Sequence, residues 1–334
     1  MISKDHRLFN IADISTYRTQ LMGIATIMII VCHAEASRVL MPGYLASICS
    51  LGNYGVDIFL FLSGLGIYYS LSKLEMNRGS YIIWYKKRFL RILIPYLIVY
   101  VPYCIVFQLL GKYSVVDSVL CLSTLEYWLF HRGAWFVSLI LVLYLITPLL
   151  HKCLSCNHRW LWAFCFIVSL MVLSNIDIEG TAPTNVLNNI QWAFGRVPSF
   201  ILGMAISKDC KSDAKISAFW ILLTTVLWVI LAKIFHLAAT AWMIVPLLVF
   251  LSVVFIKLLS KVSVAYNSLT LLGKMSLESY LTNITVNSLL LALIPTYISS
   301  NIFYGRYLEY SIVVVFGLMS AYIVHHATKK LTNK

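Results

Sequence analysis

YSVVDSVLCLSTLEYWLF, residues 113–130, decides how this chain is laid out. It is apolar enough to suggest a membrane crossing, yet Asp117, Ser118, Ser123, Thr124 and Glu126 interrupt it. A spanning helix needs about 20 mostly apolar residues. Runs of that kind lie near 18–37, 50–72 and 89–110 before the stretch, and near 134–150, 160–175, 188–207, 216–235, 239–257, 275–295 and 309–327 after it. If 113–130 crossed, every later segment would change sides. Cytoplasmic loops of membrane proteins carry the excess of Lys and Arg, and this settles the choice. With the stretch kept outside as a loop or re-entrant segment, twenty Lys and Arg fall inside; Arg38, Lys112, Arg132, Lys233 and Arg306 fall outside, and Arg196 sits within a run. A crossing would destroy that asymmetry. The expected fold is an all-α polytopic membrane helix bundle of about ten transmembrane helices with both termini cytoplasmic. It forms a single membrane domain over 1–334, with 1–17 a cytoplasmic N-terminal segment and 328–334 a cytoplasmic tail.

Composition leads to the same class. Hydrophobic residues make up 60% of the 334 and charged residues 12%, against roughly 45–50% and 25% in soluble chains. Mean hydropathy is +0.84, and no water-soluble core hides that much apolar side chain. The net charge of +13 does not imply nucleic acid, because the basic residues lie in short clusters between apolar runs. The first run follows about twenty polar residues without a small-residue cleavage site, so it is expected to be an anchor and not a removed signal. The cysteines suggest no disulfide framework, since Cys32, Cys49, Cys104, Cys121 and Cys165 lie in or beside apolar runs. His151-Lys-Cys153-Leu-Ser-Cys156-Asn-His158 has the outline of a zinc motif but lacks a distant second pair. No metal is expected.

Ionisable groups inside spans are costly and mark function by default. His33, Asp57, Arg196 and Glu278 are such groups, and Arg88 and Arg91 stand at the inner mouth of the third run. The first run leads outward and the second inward, so His33 and Asp57 fall at similar depth. A carboxylate there would fix the imidazole tautomer for general-base work. A blander reading has His33 bonding a neighbouring helix and Asp57 capping its own. Arg88 and Arg91, three residues apart, present guanidinium forks suited to phosphate oxygens, although basic residues here also serve topology and anionic lipid. Arg18 lies about 60° around the helix from His33. Glu278 is placed to neutralise Arg88 or Arg91, with Tyr280 and Asn283 deeper in the same run. Arg196 needs either a buried counter-ion or an anionic substrate.

In order along the chain, LMGIATIMIIVCHA (21–34), GVDIFLFLSGLGIYYS (55–70), YKKRFLRILIPYLI (85–98), WFVSLILVLYLITPLL (135–150), RVPSFILGMAI (196–206) and LGKMSLESYLTN (272–283) resemble the acyltransferase 3 family of bacterial membrane acyltransferases. The resemblance implies an enzyme of the bacterial cytoplasmic membrane. It would move an acyl group, usually acetyl, from cytoplasmic acyl-CoA to a hydroxyl of an exopolysaccharide, capsule or lipid-linked glycan. Acyl-CoA is then a donor substrate, with no permanently bound cofactor; membrane lipids are the other partner. The family's histidine corresponds to His33, as general base or as acyl-accepting nucleophile, with Asp57 orienting it. Its arginine pair corresponds to Arg88 and Arg91, and Trp135 and Tyr144 would line the donor tunnel. Many members carry an arginine where this chain has Met22, a place Arg18 is expected to fill, and a histidine where it has Asn283. The competing class is a secondary transporter or flippase of a glycan precursor; such proteins often show inverted repeats, and none is visible here. Outer loops near 38–49, 111–133, 176–187 and 296–308 are expected to choose the acceptor.

Overall fold

Residues 113–130 form two short helices. Ser114 opens the first with a capping box, its side chain bonded to the Asp117 amide and the Asp117 carboxylate to the Ser114 amide. Thr124, in the left-handed region at φ 64°, breaks the path before the second, and His131 at φ 55° ends it. Eight and six residues at about 1.5 Å each fall far short of a roughly 30 Å hydrocarbon core.

The computed structural model describes residues 8–37, 39, 41–75, 77–176, 184–212, 214–235, 237–293 and 303–332. Arg38, the ends of both terminal segments and most of the expected outer loops 176–187 and 296–308 lie outside the described residues. Helix takes up 83% of the structure, so the class is all-α. In chain order the elements begin with β1 (Leu8–Asn10), α1 (Ala12–Thr16), α2 (Arg18–Ala36), α3 (Gly43–Ser50), α4 (Gly55–Leu71) and α5 (Arg78–Leu109). The two short helices are α6 (Val115–Leu122) and α7 (Leu125–Phe130). There follow α8 (Trp135–Leu154), α9 (Arg159–Leu173), α10 (Thr184–Phe194), α11 (Val197–Ile206), β2 (Lys215–Ser217), α12 (Ala218–Leu231), α13 (Leu237–Thr240) and α14 (Val245–Leu259). The last three are α15 (Ser263–Lys274), α16 (Ser276–Leu293) and α17 (Phe303–Thr332).

Every expected apolar run carries helix. Among the described residues four helical stretches are long and apolar enough to cross a membrane: Gly43–Leu71, Arg78–Leu109, Trp135–Leu154 and Tyr307–Thr332. Four shorter apolar helices, Arg18–Ala34, Arg159–Leu173, Ala218–Leu231 and Val245–Leu259, join them. The run 188–207 is broken at Gly195 and Arg196 between α10 and α11, and Pro198 at the start of α11 suits a first turn whose amides need no partner. An unexpected two-stranded antiparallel sheet pairs Leu8 with Ser217 and Asn10 with Lys215. At 32 residues, α5 is about 48 Å long, so its basic first turns outreach the hydrocarbon that its apolar remainder matches.

Two units interleave along the chain. The first comprises Met1–Ala25, Tyr54–Glu75 and Leu145–Gly273; the second comprises Thr26–Asn53, Met76–Tyr144 and Lys274–Lys334. In the first, α4 packs on α11 through two glycines. A Cβ on Gly64 would overlap the Phe200 carbonyl, and one on Gly203 the Phe61 carbonyl, the small-residue crossing that lipid-embedded helices favour. Gly203→Val is expected to cost about 1–3 kcal/mol through overpacking, read as a lower unfolding midpoint in detergent; an unchanged midpoint would contradict this crossing. In the second unit α16 packs against both α5 and α17.

Candidate active site

His33 stands in the last turn of α2, half-buried within the second unit. Its Nδ1 lies 3.1 Å from Oδ1 of Asn283, a buried side chain of α16. Tyr310 donates to the Ile30 carbonyl. An amide oxygen only accepts, so in the His33–Asn283 contact Nδ1 carries the proton and Nε2 keeps its lone pair. This is the tautomer that a general base acting through Nε2 requires.

Asp57 is held by partners of its own unit. Asp57 is buried in the first unit, with one oxygen 2.6 Å from Nη1 of Arg196 and the other accepting from the Ser199 hydroxyl at 3.1 Å. Arg196, also buried, stacks 5.0 Å from the Trp192 ring. Of the two readings open for Arg196, the structure supplies the ion pair. Asn283 takes the orienting contact at His33.

Glu278 does not pair with Arg88 or Arg91. Its carboxylate lies 3.0 Å from Nδ1 of His325 on α17. Tyr280 accepts the Phe136 amide at 3.4 Å and packs on that ring, tying α16 to the start of α8. Arg18 directs Nε and Nη2 at the Leu62 carbonyl, each at 3.1 Å, alongside Gly66. It therefore ties α2 to α4 within the first unit.

Arg88 lies with its guanidinium 5.8 Å from the Trp84 ring. Tyr144 meets the same indole edge-on at 6.3 Å and Phe89 at 6.1 Å, so Arg88 and Tyr144 share one aromatic cluster. Arg91 is exposed. Trp135 is nine residues from Tyr144 on α8, about 13 Å, and contacts Tyr127 and Phe136 instead. His151 contacts Ser72 and Ser155, and the Cys156 thiol donates to the Cys153 carbonyl.

Depth within the second unit follows from α5 and α16. Tyr103 and Phe107 of α5 line one cavity with Ser288, Leu291 and Ala292 of α16, toward the C-terminal ends of both helices, so the two run in the same sense. At 1.5 Å per residue, Asn283 is level with about residue 98 of α5, roughly 15 Å beyond Arg88. The imidazole bonded to Asn283 thus lies between the arginines and that cavity.

The family model for an acyltransferase domain of acyltransferase 3 type matches residues 20–326. The chain belongs to the acyltransferase 3 family. Comparison with curated proteins and with solved structures found no match. The acyltransferase 3 match contains His33, Arg88, Arg91, Glu278, Asn283 and His325, and begins two residues after Arg18. Acyltransferase chemistry in a membrane protein is the function this membership supports. Tyr310, His325 and Ser199 escaped the sequence reading. His325 had a usable signal, a titratable side chain inside the apolar run 309–327. Tyr310 and Ser199 had none, being common residues at the ends of apolar runs.

Proposed function

We propose that this acyltransferase moves an acyl group, acetyl in the first instance, from cytoplasmic acyl-CoA to a hydroxyl of a cell-surface glycan or lipid-linked saccharide. The setting is the bacterial cytoplasmic membrane, crossed about ten times with both termini inside. The observation that carries this reading is the His33–Asn283 contact, with Nε2 left as the free base. CoA phosphates dock on Arg88 and Arg91, with Trp84 and Tyr144 walling the entry. The roughly 15 Å from there to the depth of His33 is comparable with an extended pantetheine arm. At the thioester the acceptor oxygen attacks the acyl carbon while His33 Nε2 takes the hydroxyl proton. The C–O bond forms, the C–S bond breaks, and the proton passes to the departing thiolate, releasing free CoA. A carrier would also use a broken helix such as α10–α11, but the charges at that break are engaged with each other.

The test is purified protein in nanodiscs given acetyl-CoA and the host's own envelope glycan. Free CoA and a glycan heavier by one acetyl per site are expected; glycan moved across the bilayer with acetyl-CoA untouched would refute the reading. Arg88→Ala is expected to weaken acetyl-CoA binding roughly 10–100-fold, the value of a charge-assisted phosphate contact. Calorimetry on protein of verified orientation reads this, and normal affinity would remove Arg88 from the donor site.

A further inference from the structure

At the C-terminal ends of α5 and α16 the second unit has an open cavity of about 490 Å³, within the roughly 300–1,000 Å³ of small-molecule sites. Tyr103, Phe107 and Tyr113 supply aromatic walls, and Lys112, Arg132 and Ser288 supply polar edges. Local chain chemistry builds the walls. Gly111, at φ 67°, turns the chain at the end of α5, and the amides of Lys112 and Tyr113 then both donate to the Phe107 carbonyl. The rings meet at different angles: Tyr103 and Phe107 are tilted at 4.3 Å, while Phe107 and Tyr113 meet edge-on at 5.1 Å. Tyr113 donates to Glu126 at 2.9 Å, and Arg132 lies 3.6 Å from Glu126 and 3.8 Å from Asp117. Lys112 reaches the Ala292 carbonyl at 3.4 Å.

The cations at this site therefore have local partners, which disfavours a charged ligand that would have to compete for them. An apolar ligand would strand the hydroxyl and ammonium groups. A neutral pyranose suits both features, because its C–H face packs on the negative face of an aromatic ring while its hydroxyls bond the polar edges. Ser288 lies five residues beyond Asn283 on α16, about 8 Å along the helix axis and roughly 140° around it, so the unit held here is a neighbour of the one that reacts.

We propose that this cavity is an acceptor subsite and holds a neutral hexose unit, neighbour to the one that presents a hydroxyl toward His33. This deepens the acyltransferase reading above and rests on it. The test is saturation-transfer NMR on the full chain in nanodiscs with maltose, cellobiose and chitobiose as probes, and glucuronate as the anionic comparison. Transfer to ring C–H protons of at least one disaccharide is expected, with affinity falling tenfold or more in Phe107→Ala and in Ser288→Leu, which fills the cavity from a half-buried position. No signal from any disaccharide, signals unchanged in both variants, or stronger binding of glucuronate would overturn it. Saccharide binding without His33-dependent CoA release would defeat the reaction and leave the subsite standing. CoA release without saccharide binding would do the reverse.

Discussion

Replacing His33 by alanine is expected to lower acyl transfer by about 10²–10⁴-fold, the usual contribution of a positioned general base, with undiminished folded protein in the membrane. The side chain makes one described polar contact, to Asn283, so its removal costs about 1–3 kcal/mol for the stranded amide oxygen, less than unfolding requires. The same contact predicts a graded series. Asn283→Leu removes the acceptor for the Nδ1 proton and is expected to lower kcat roughly tenfold to a hundredfold, the cost of stranding one buried partner, with KM for acetyl-CoA unchanged. Asn283→Asp retains an acceptor and restores most of the rate. A fall in KM affinity in place of kcat would make Asn283 a binding residue. Rapid-quench kinetics separate the two roles open to His33: a burst of CoA release before acceptor is added marks an acyl-histidine, and none is expected of a base.

The layout of helices was legible from the chain, while the pairing of its polar groups was not, and the reason is geometric. Lipid demands long apolar runs, so each run announced itself, and the Lys and Arg asymmetry kept 113–130 from being read as a crossing; the structure breaks it into two short helices at Thr124. Helix direction and rise were the only guides the sequence offered to the depth of His33 and Asp57, and depth is one coordinate of two. The rotation of each helix about its axis is set by packing partners far away in sequence. The Gly64 and Gly203 contacts turn α4 against α11 and bring Asp57 to Arg196, 139 residues distant. Glu278 meets His325 through the α16–α17 contact, across 47 residues. The arginine pair was visible because its spacing is local, and Tyr144 shares the Trp84 ring with Arg88. Trp135 was grouped with Tyr144 because both lie on one helix, whose rise separates them.

Asp57→Ala is expected to destabilise the protein by about 3–5 kcal/mol, because it strands a buried guanidinium. Asp57 accepts from Arg196 and from Ser199 at the first turn of α11, where the helix dipole also favours a carboxylate. The carboxylate's described partners are Arg196 and Ser199, so the loss should appear in unfolding midpoint and membrane yield before it appears in turnover per folded molecule. Arg196→Ala is expected to do the same from the other side. Removing both charges together, as Asp57→Leu with Arg196→Met, should recover much of the stability that either alanine loses, since an apolar pair of similar volume often replaces a buried ion pair at little cost. The measurement is a thermal unfolding series in one detergent, with acetyl transfer normalised to folded protein. If Asp57→Asn unfolds like the parent yet transfers a hundredfold more slowly, the carboxylate acts on the reaction itself. If the double variant is no better than Asp57→Ala, the salt bridge is not what holds α4 to α11, and the glycine crossing carries that contact alone.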